Sequence, residues 1–397
     1  MAIAKHTHVA IFGTSLIRKM FNEGTRLKKE FGEENVYDFS LGNPIVPPPE
    51  ELTNAIIRIM KEDIPYKHAY MTNSGYSKTR EFVADFLTKE QGIKLQKENI
   101  IMTCGAGAAL NLLFQAILNV GDNVVVSIPN FVVYKTYVEN FGGILKTVKC
   151  KENFNLDLEA MEAAINKDTA AVLINSPNNP SGVIYPKSQI DSLASMLKRK
   201  SHELGRQIYL VSDEPYRQIV FDGVEVPPLF PVYKNTIIIS SYSKSLSIPG
   251  ERIGWAAIHP EAEDSELIIR AMTMSTTGLG YTNAPALMQR AIVEVNGITV
   301  DPEIYRKKRD LLAIPLKEMG YEFILPHGTF YLFIKAPGGD DMIFVQELQN
   351  ENILAVPGSG FNMPGYFRIA YCVDDKVINR SIPGFKKAKE NIITKVS

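Results

Sequence analysis

Ile237-Ile238-Ile239-Ser240-Ser241-Tyr242-Ser243-Lys244, followed by Pro249-Gly250-Glu251-Arg252-Ile253-Gly254 and then Trp255-Ala256-Ala257, is the stretch on which the reading turns. The run Ile237-Ile238-Ile239 lacks polar alternation, the pattern of a strand buried on both faces of a parallel sheet. It stops at hydroxyl-bearing residues and a lysine, so Lys244 falls at a strand end, where open α/β sheets carry their ligands. An arginine, Arg252, follows eight residues later. An amine, two serine hydroxyls (Ser241 and Ser243) and a guanidinium in this order suit a phosphorylated aldehyde. The amine can condense to a Schiff base while the other groups hold phosphate through charge-assisted hydrogen bonds. A lysine at its ordinary pKa of ~10.4 is a poor nucleophile at neutral pH, so such a site must activate it. Taken alone, these residues also fit a surface lysine beside a structural arginine.

Working outward, similar runs recur: Ile100-Ile101-Met102, Val124-Val125-Val126, Ala171-Val172-Leu173-Ile174 and Ile208-Tyr209-Leu210-Val211. Helical patterns separate them, through Leu110, Leu113 and Ile117, over 134–141, and through Leu193 and Leu197. Strand–helix repetition of this kind predicts an α/β domain of about seven strands. Upstream, a helix is expected over 17–31, ending near Gly32. Leu41-Gly42-Asn43-Pro44 and Pro47-Pro48-Pro49 read as a linker, because successive prolines supply no backbone donors. Beyond residue 296 the pattern changes to a helix over 302–319, strands at 321–325 and 330–335, a helix over 342–348, strands near 353–356 and 367–371, and a closing helix. This predicts a smaller α+β unit, dividing the chain into 1–48, 49–295 and 296–397. No internal repeat or low-complexity tract interrupts it.

Three further elements sit at the ends of these runs. After Val211 comes Ser212-Asp213-Glu214-Pro215-Tyr216. Pyridoxal phosphate (PLP) needs an anion beside its pyridine nitrogen if the protonated ring is to accept electrons, and Asp213 is suited to that place. Tyr216 can donate to the ring's phenolic oxygen. A strand-end aspartate can equally be a helix cap. After Ile174 comes Asn175-Ser176-Pro177-Asn178-Asn179-Pro180-Ser181-Gly182. It reads either as a plain turn or as a loop in which Asn179 bonds the same phenolic oxygen. Finally, Cys104-Gly105-Ala106-Gly107 lies between strand and helix. Its small residues can let backbone N–H groups approach a phosphate at the helix's positive end, a weak signal alone.

The bulk composition narrows the function classes. Lys+Arg of 43 against Asp+Glu of 44 leaves a net charge of -1, which offers no drive toward nucleic acid or anionic membrane. The three cysteines form no CxxC pair, so a disulfide framework or cysteine zinc site is not expected and a reducing compartment is. The six histidines have no metal-ligand spacing. The amino terminus carries Lys5 without an apolar stretch of the secretory kind, and no run reaches the ~18 apolar residues of a membrane span. A cytoplasmic protein is expected.

Together the motifs resemble the fold-type I PLP aminotransferases of class I/II, over nearly the whole chain from Phe39-Ser40-Leu41-Gly42-Asn43-Pro44 to Phe367-Arg368-Ile369. The order and spacing of Asn-Pro-Ser-Gly, Asp-x-x-Tyr and Ser-x-x-Lys…Arg carry the resemblance. It implies a large PLP-binding α/β domain with a mostly parallel seven-stranded sheet between helices, and a smaller α+β domain built from both chain ends. Residue by residue, it implies Lys244 as the Schiff-base lysine and proton shuttle, Asp213 at the pyridinium nitrogen, and Asn179 with Tyr216 at the phenolic oxygen. Phe131 would stack on the ring. Ser241, Ser243, Arg252 and the Gly105-Ala106-Gly107 turn would hold the phosphate, joined by Tyr70 from a second subunit of a homodimer. Arg368 would clamp the substrate α-carboxylate, helped by the backbone around Gly42. The implied reaction moves an amino group from an L-amino acid to a 2-oxo acid by ping-pong kinetics.

The chain departs from the dicarboxylate-specific members. Between Met272 and Tyr281, ahead of Asn283-Ala284-Pro285, there is no arginine or lysine, and Ala106 stands where other members place a lysine. A neutral or aromatic amino donor is therefore expected, unless Lys19 or Lys135 substitutes. A PLP-dependent carbon–sulfur β-lyase on the same fold would keep the same lysine, aspartate and arginine. A PLP-sensing regulator would need a DNA-binding domain, and the 48 residues before the linker show no basic helix-turn-helix pattern.

Overall fold

The computed structural model describes residue 3, residues 16–295 and residues 297–396; Lys5 and the side chains of Ile17, Lys19 and Phe21 lie outside what is described. Twelve strands are present among the described residues: β1 Tyr37–Asp38, β2 Ile100–Thr103, β3 Asn123–Ile128, β4 Ile144–Lys149, β5 Thr169–Asn175, β6 Tyr209–Asp213, β7 Thr236–Ser241, β8 Gly254–Ile258, β9 Tyr331–Lys335, β10 Ile353–Leu354, β11 Val356–Pro357 and β12 Tyr366–Ala370. A seven-stranded sheet runs β2-β8-β7-β6-β5-β3-β4. It is parallel except for β8, which opposes both of its neighbours.

The unalternating apolar runs have the expected cause, burial on both faces. Successive side chains point to opposite faces of a strand, so Ile238 enters one core with Met102, Val172 and Leu210. Ile237 and Ile239 enter the other with Val126, Leu173 and Val211. Helices Glu50–Lys61, Ser77–Gln91, Lys187–Leu204 and Ala286–Glu294 supply Leu52, Val83, Leu193 and Met288 to the first core. Ala106–Ile117, Val133–Glu139 and Ser265–Gly278 supply Leu113, Val138 and Met272 to the second.

The smaller unit joins both chain ends. β1 pairs in parallel with β10, and the Phe39 backbone continues the ladder between Leu354 O and Ala370 N, each at 2.9 Å. The Phe39 ring is fully buried in a core with Leu312, Phe344, Phe367 and Phe385. A three-stranded antiparallel sheet, β11-β12-β9, completes this unit.

Three details differ from the sequence reading. β4 was not foreseen, because as an edge strand it leaves one side to solvent and carries Lys146 and Lys149 among its apolar residues. The strand expected over 321–325 is a single bridge, Phe323 to Ile334, cut short where Pro326 offers no donor. The strand expected at 353–356 is two short ones, β10 and β11, which pair with different sheets.

Phe39→Ala should cost about 3–5 kcal/mol, the range for emptying a buried aromatic site. A urea titration followed by tryptophan and far-ultraviolet signals measures it. A loss under ~1 kcal/mol would mean that the amino-terminal segment is not part of this core.

Candidate active site

Sheet polarity assembles the site. β2, β5, β6 and β7 all run in one direction, so their C-terminal ends deliver Gly105, Asn175, Asp213 and Ser241 to one edge. β8 runs the other way and begins at Gly254, which brings Arg252, two residues earlier, to that same edge. β12 and the segment around Gly42 close it from the smaller unit. The cleft between them has a volume of about 330 Å³ and is lined by Gly42, Ala106, Gly107, Phe131, Asn179, Asp213, Tyr216, Ser241, Ser243, Lys244, Arg252 and Arg368.

Two residues singled out from the sequence stand outside that lining. Gly105 caps the helix Ala106–Ile117 at φ +85°, and a Cβ there would meet Arg252 Nη2 at 2.8 Å. Glycine is required both by that left-handed conformation and by the close approach. Tyr70 lies away from this chain's cleft with 88% of its surface exposed.

Lys244 Nζ donates to Gly42 O at 2.8 Å and lies 5.4 Å from the centre of the Phe330 ring. Burial pushes its pKa down to about 8, with Arg368 and Arg252 acting in the same direction and Cys372 opposing them. Asp213 accepts a 2.6 Å hydrogen bond on Oδ2 from the Tyr134 hydroxyl, while its buried Oδ1 has no partner. Burial pushes the Asp213 carboxyl up to about 7; the Tyr134 bond pulls it down and the neighbouring Glu214 pushes it up. An unpaired buried carboxylate oxygen costs free energy unless a donor completes it.

Arg368 is fully enclosed. Its Nη1 donates to Asn179 Oδ1 at 3.1 Å and its Nη2 to Ser40 O at 2.7 Å, while Nε has no partner. Its guanidinium lies 4.5 Å from the Tyr331 ring centre and 4.8 Å from that of Phe361. The Tyr331 hydroxyl shares a 2.9 Å hydrogen bond with that of Tyr216. Gly42 must be glycine because a Cβ would fall 1.9 Å from the Tyr331 oxygen. Arg252 adopts φ +51°, and its Nη1 and Nη2 donate to Pro249 O at 2.9 Å and Cys104 O at 3.4 Å. A non-glycine residue in that region is strained and persists when its surroundings hold it there.

Sequence reasoning missed Tyr134, Tyr137, Asn175 and Tyr331, which also line the cleft. Tyr134 follows Phe131 by three residues in one turn, a helical spacing that could have flagged it. Asn175 bonds the Asp213 carbonyl at 2.7 Å and accepts from Asn179 N at 2.7 Å, tying the two loops together. Of the possible extra cations, Lys135 is exposed and faces Glu139 at 3.8 Å, outside the cleft lining. Among the described residues no group of His, Cys, Asp and Glu could hold a metal ion, and no helix is long and apolar enough to cross a membrane.

Comparison with known proteins agrees with this geometry. The family described as aminotransferase class I and II matches residues 34–383. The chain is 31% identical over 359 residues to the probable aspartate/prephenate aminotransferase of Thermus aquaticus, covering 87% of this chain and 90% of that protein. It is also 31% identical over 380 residues to the aspartate aminotransferase of Bacillus subtilis, covering 90% and 92%. An aminotransferase structure from Eubacterium rectale superposes with a TM-score of 0.95 at 38% identity, over 98% of this chain and 99% of that one. The aspartate aminotransferase of Thermus thermophilus with maleate superposes with a TM-score of 0.85 at 28% identity, over 94% and 97%. Family match, fold and relatives coincide, and the chain belongs to the class I and II aminotransferases, enzymes that transfer amino groups.

Proposed function

We propose that this aminotransferase holds pyridoxal phosphate in the cleft on Lys244 and moves amino groups from L-amino acids to 2-oxo acids in a site shared across a homodimer. The observation that carries the reading is a part-buried lysine of lowered pKa in one cleft with a buried aspartate whose Oδ1 lacks a partner. The donor set suits PLP: Oδ1 of Asp213 for the pyridine nitrogen, and Asn179 and Tyr216 for the phenolic oxygen. Phe131 forms the ring wall. Ser241, Ser243, Arg252 and the amides after Gly105 take the phosphate. When bound, PLP supplies an electron sink for the charge left on the substrate α-carbon. Lys244 takes and returns the proton at that carbon, and Arg368, with its free Nε, orients the α-carboxylate with help from the Gly42 backbone.

Magnitudes support the lysine's role. At a pKa of about 8, about one Lys244 in ten is neutral at pH 7, against fewer than ~1 in 1000 for an ordinary lysine. Among the described residues, the cations of the cleft lining are Lys244, Arg252 and Arg368, and each already has a task. This favours a donor with a neutral or aromatic side chain over a second carboxylate. No observation favours the β-lyase alternative, and the relatives are named aminotransferases. The dimer is supported by Tyr66 and Tyr70, each 88% exposed on a loop that the Asn283 side chain holds at Thr72 O, 3.1 Å. The burial of Phe39 with the carboxy-terminal core supports assigning 1–48 and 296–397 to the smaller domain and 49–295 to the larger. Three free cysteines suit the reducing cytoplasm.

Borohydride treatment of the PLP-loaded enzyme should fix the cofactor on Lys244 and on no other lysine, as read by peptide mass; label elsewhere overturns the assignment. The cost of burying the Lys244 charge gives a second prediction. Its folded pKa is lowered, so the penalty is complete below pH about 8 and is relieved as pH rises toward the ordinary 10.5. Lys244→Met should therefore melt at a higher temperature than the cofactor-free parent near pH 7, and the two curves should converge as pH rises through that window. A constant offset across the window contradicts this placement of the amine. Mixing inactive Tyr70→Ala and Lys244→Ala subunits should rebuild one whole site per heterodimer and restore about half of the parent activity. Verified heterodimers without activity would rule out the shared site.

A further inference from the structure

Tyr134 is completely buried on the helix Val133–Glu139, three residues beyond the aromatic wall Phe131. Its ring meets that of Phe131 edge-on, with centroids 5.6 Å apart at 84°, and its amide bonds Phe131 O at 3.1 Å. Its hydroxyl donates to Oδ2 of Asp213 at 2.6 Å, which leaves Oδ1 as the free oxygen. One tyrosine thus braces both the wall and the carboxylate. Resting on the PLP reading above, we infer that Tyr134 is a positioning residue that presents Oδ1 of Asp213 to the cofactor's ring nitrogen and determines where the proton between them resides.

The electrostatics follow from this geometry. Burial pushes Asp213 up to about 7, and the Tyr134 hydrogen bond is the contact that pulls it back toward the ionised form. Tyr134 is itself held well above the usual phenol range, by burial first and then by Asp213, and so acts as a neutral donor. The other groups around Asp213 are Tyr137 on the same helix, and Glu214 and Tyr216 on its own loop. Glu214 is tied to Arg217 at 2.9 Å. Lys244 and Arg252 line the same cleft from the β7–β8 side. None of the bonds recorded for these groups reaches Oδ2 of Asp213, so Tyr134 is the donor whose loss moves the carboxyl's proton affinity upward. The proton then shifts from the ring nitrogen to Asp213, and the ring draws electrons less strongly.

Tyr134→Phe keeps the ring against Phe131 and removes only the hydroxyl. The test loads the parent and Tyr134→Phe with PLP isotopically labelled at the ring nitrogen and follows that nitrogen's NMR shift with pH. The nitrogen of the variant should lose its proton at a pH lower by about one unit, and kcat should fall about tenfold with KM for the amino donor unchanged. Replacing Tyr134 by a tyrosine fluorinated at both positions beside the hydroxyl makes it a stronger donor in the same space. That variant should shift the titration the opposite way, and it decides the matter if Tyr134→Phe does not fold. Folded variants that share the parent's titration overturn the inference while leaving the PLP assignment intact. A parent that takes up no PLP overturns the assignment, and the inference with it.

Discussion

A part-buried lysine amine and a buried aspartate carboxyl in one cleft are what the rest of this molecule arranges. Neither would be stable there alone: burial moves Lys244 down to about 8 and Asp213 up to about 7, toward their neutral forms. The fold bears this cost because the two groups stand at the ends of adjacent strands, β6 and β7, whose cores on both faces are closed by helices. The antiparallel turn of β8 then adds Arg252 to the same edge, opposite the amino end of a helix. A parallel β8 would have carried that guanidinium to the far edge of the sheet.

The smaller unit supplies the other wall of the cleft. Arg368 reaches the cleft from β12, bonds Asn179 of the larger unit, and rests on Tyr331, whose hydroxyl meets Tyr216 across the boundary. Phe39 locks the amino-terminal segment into that core, and the same segment carries the Ser40 and Gly42 carbonyls that receive Arg368 and Lys244. In the proposed function, carboxylate binding at Arg368 and proton transfer at Lys244 would therefore both be coupled to how the two units sit against each other.

Much of this was legible in the sequence because chemistry concentrates at strand ends. Lys244, Asp213, Asn179 and Arg252 each follow an apolar run or a turn signal, and the structure brings them into one cleft. What was not legible depends on tertiary placement. β4 reads as polar because it is an edge, and 321–325 has strand-like residues that find only one bridge. Tyr331 carries no local signal of its own, and the spacing of Tyr134 from Phe131 does not by itself separate a site residue from a core one. A tyrosine at helical spacing or on a strand looks like core until the partner of its hydroxyl is known, and both partners lie far away in the chain.

The most direct test of the account is a single-turnover measurement on the cofactor-loaded enzyme, mixed with an amino acid and no oxo acid. An aminotransferase built as described should release a single equivalent of the 2-oxo acid per site, produce no ammonia, and stop until an acceptor oxo acid is added. Continued release of ammonia and oxo acid without an acceptor would contradict it and make the cleft that of a lyase.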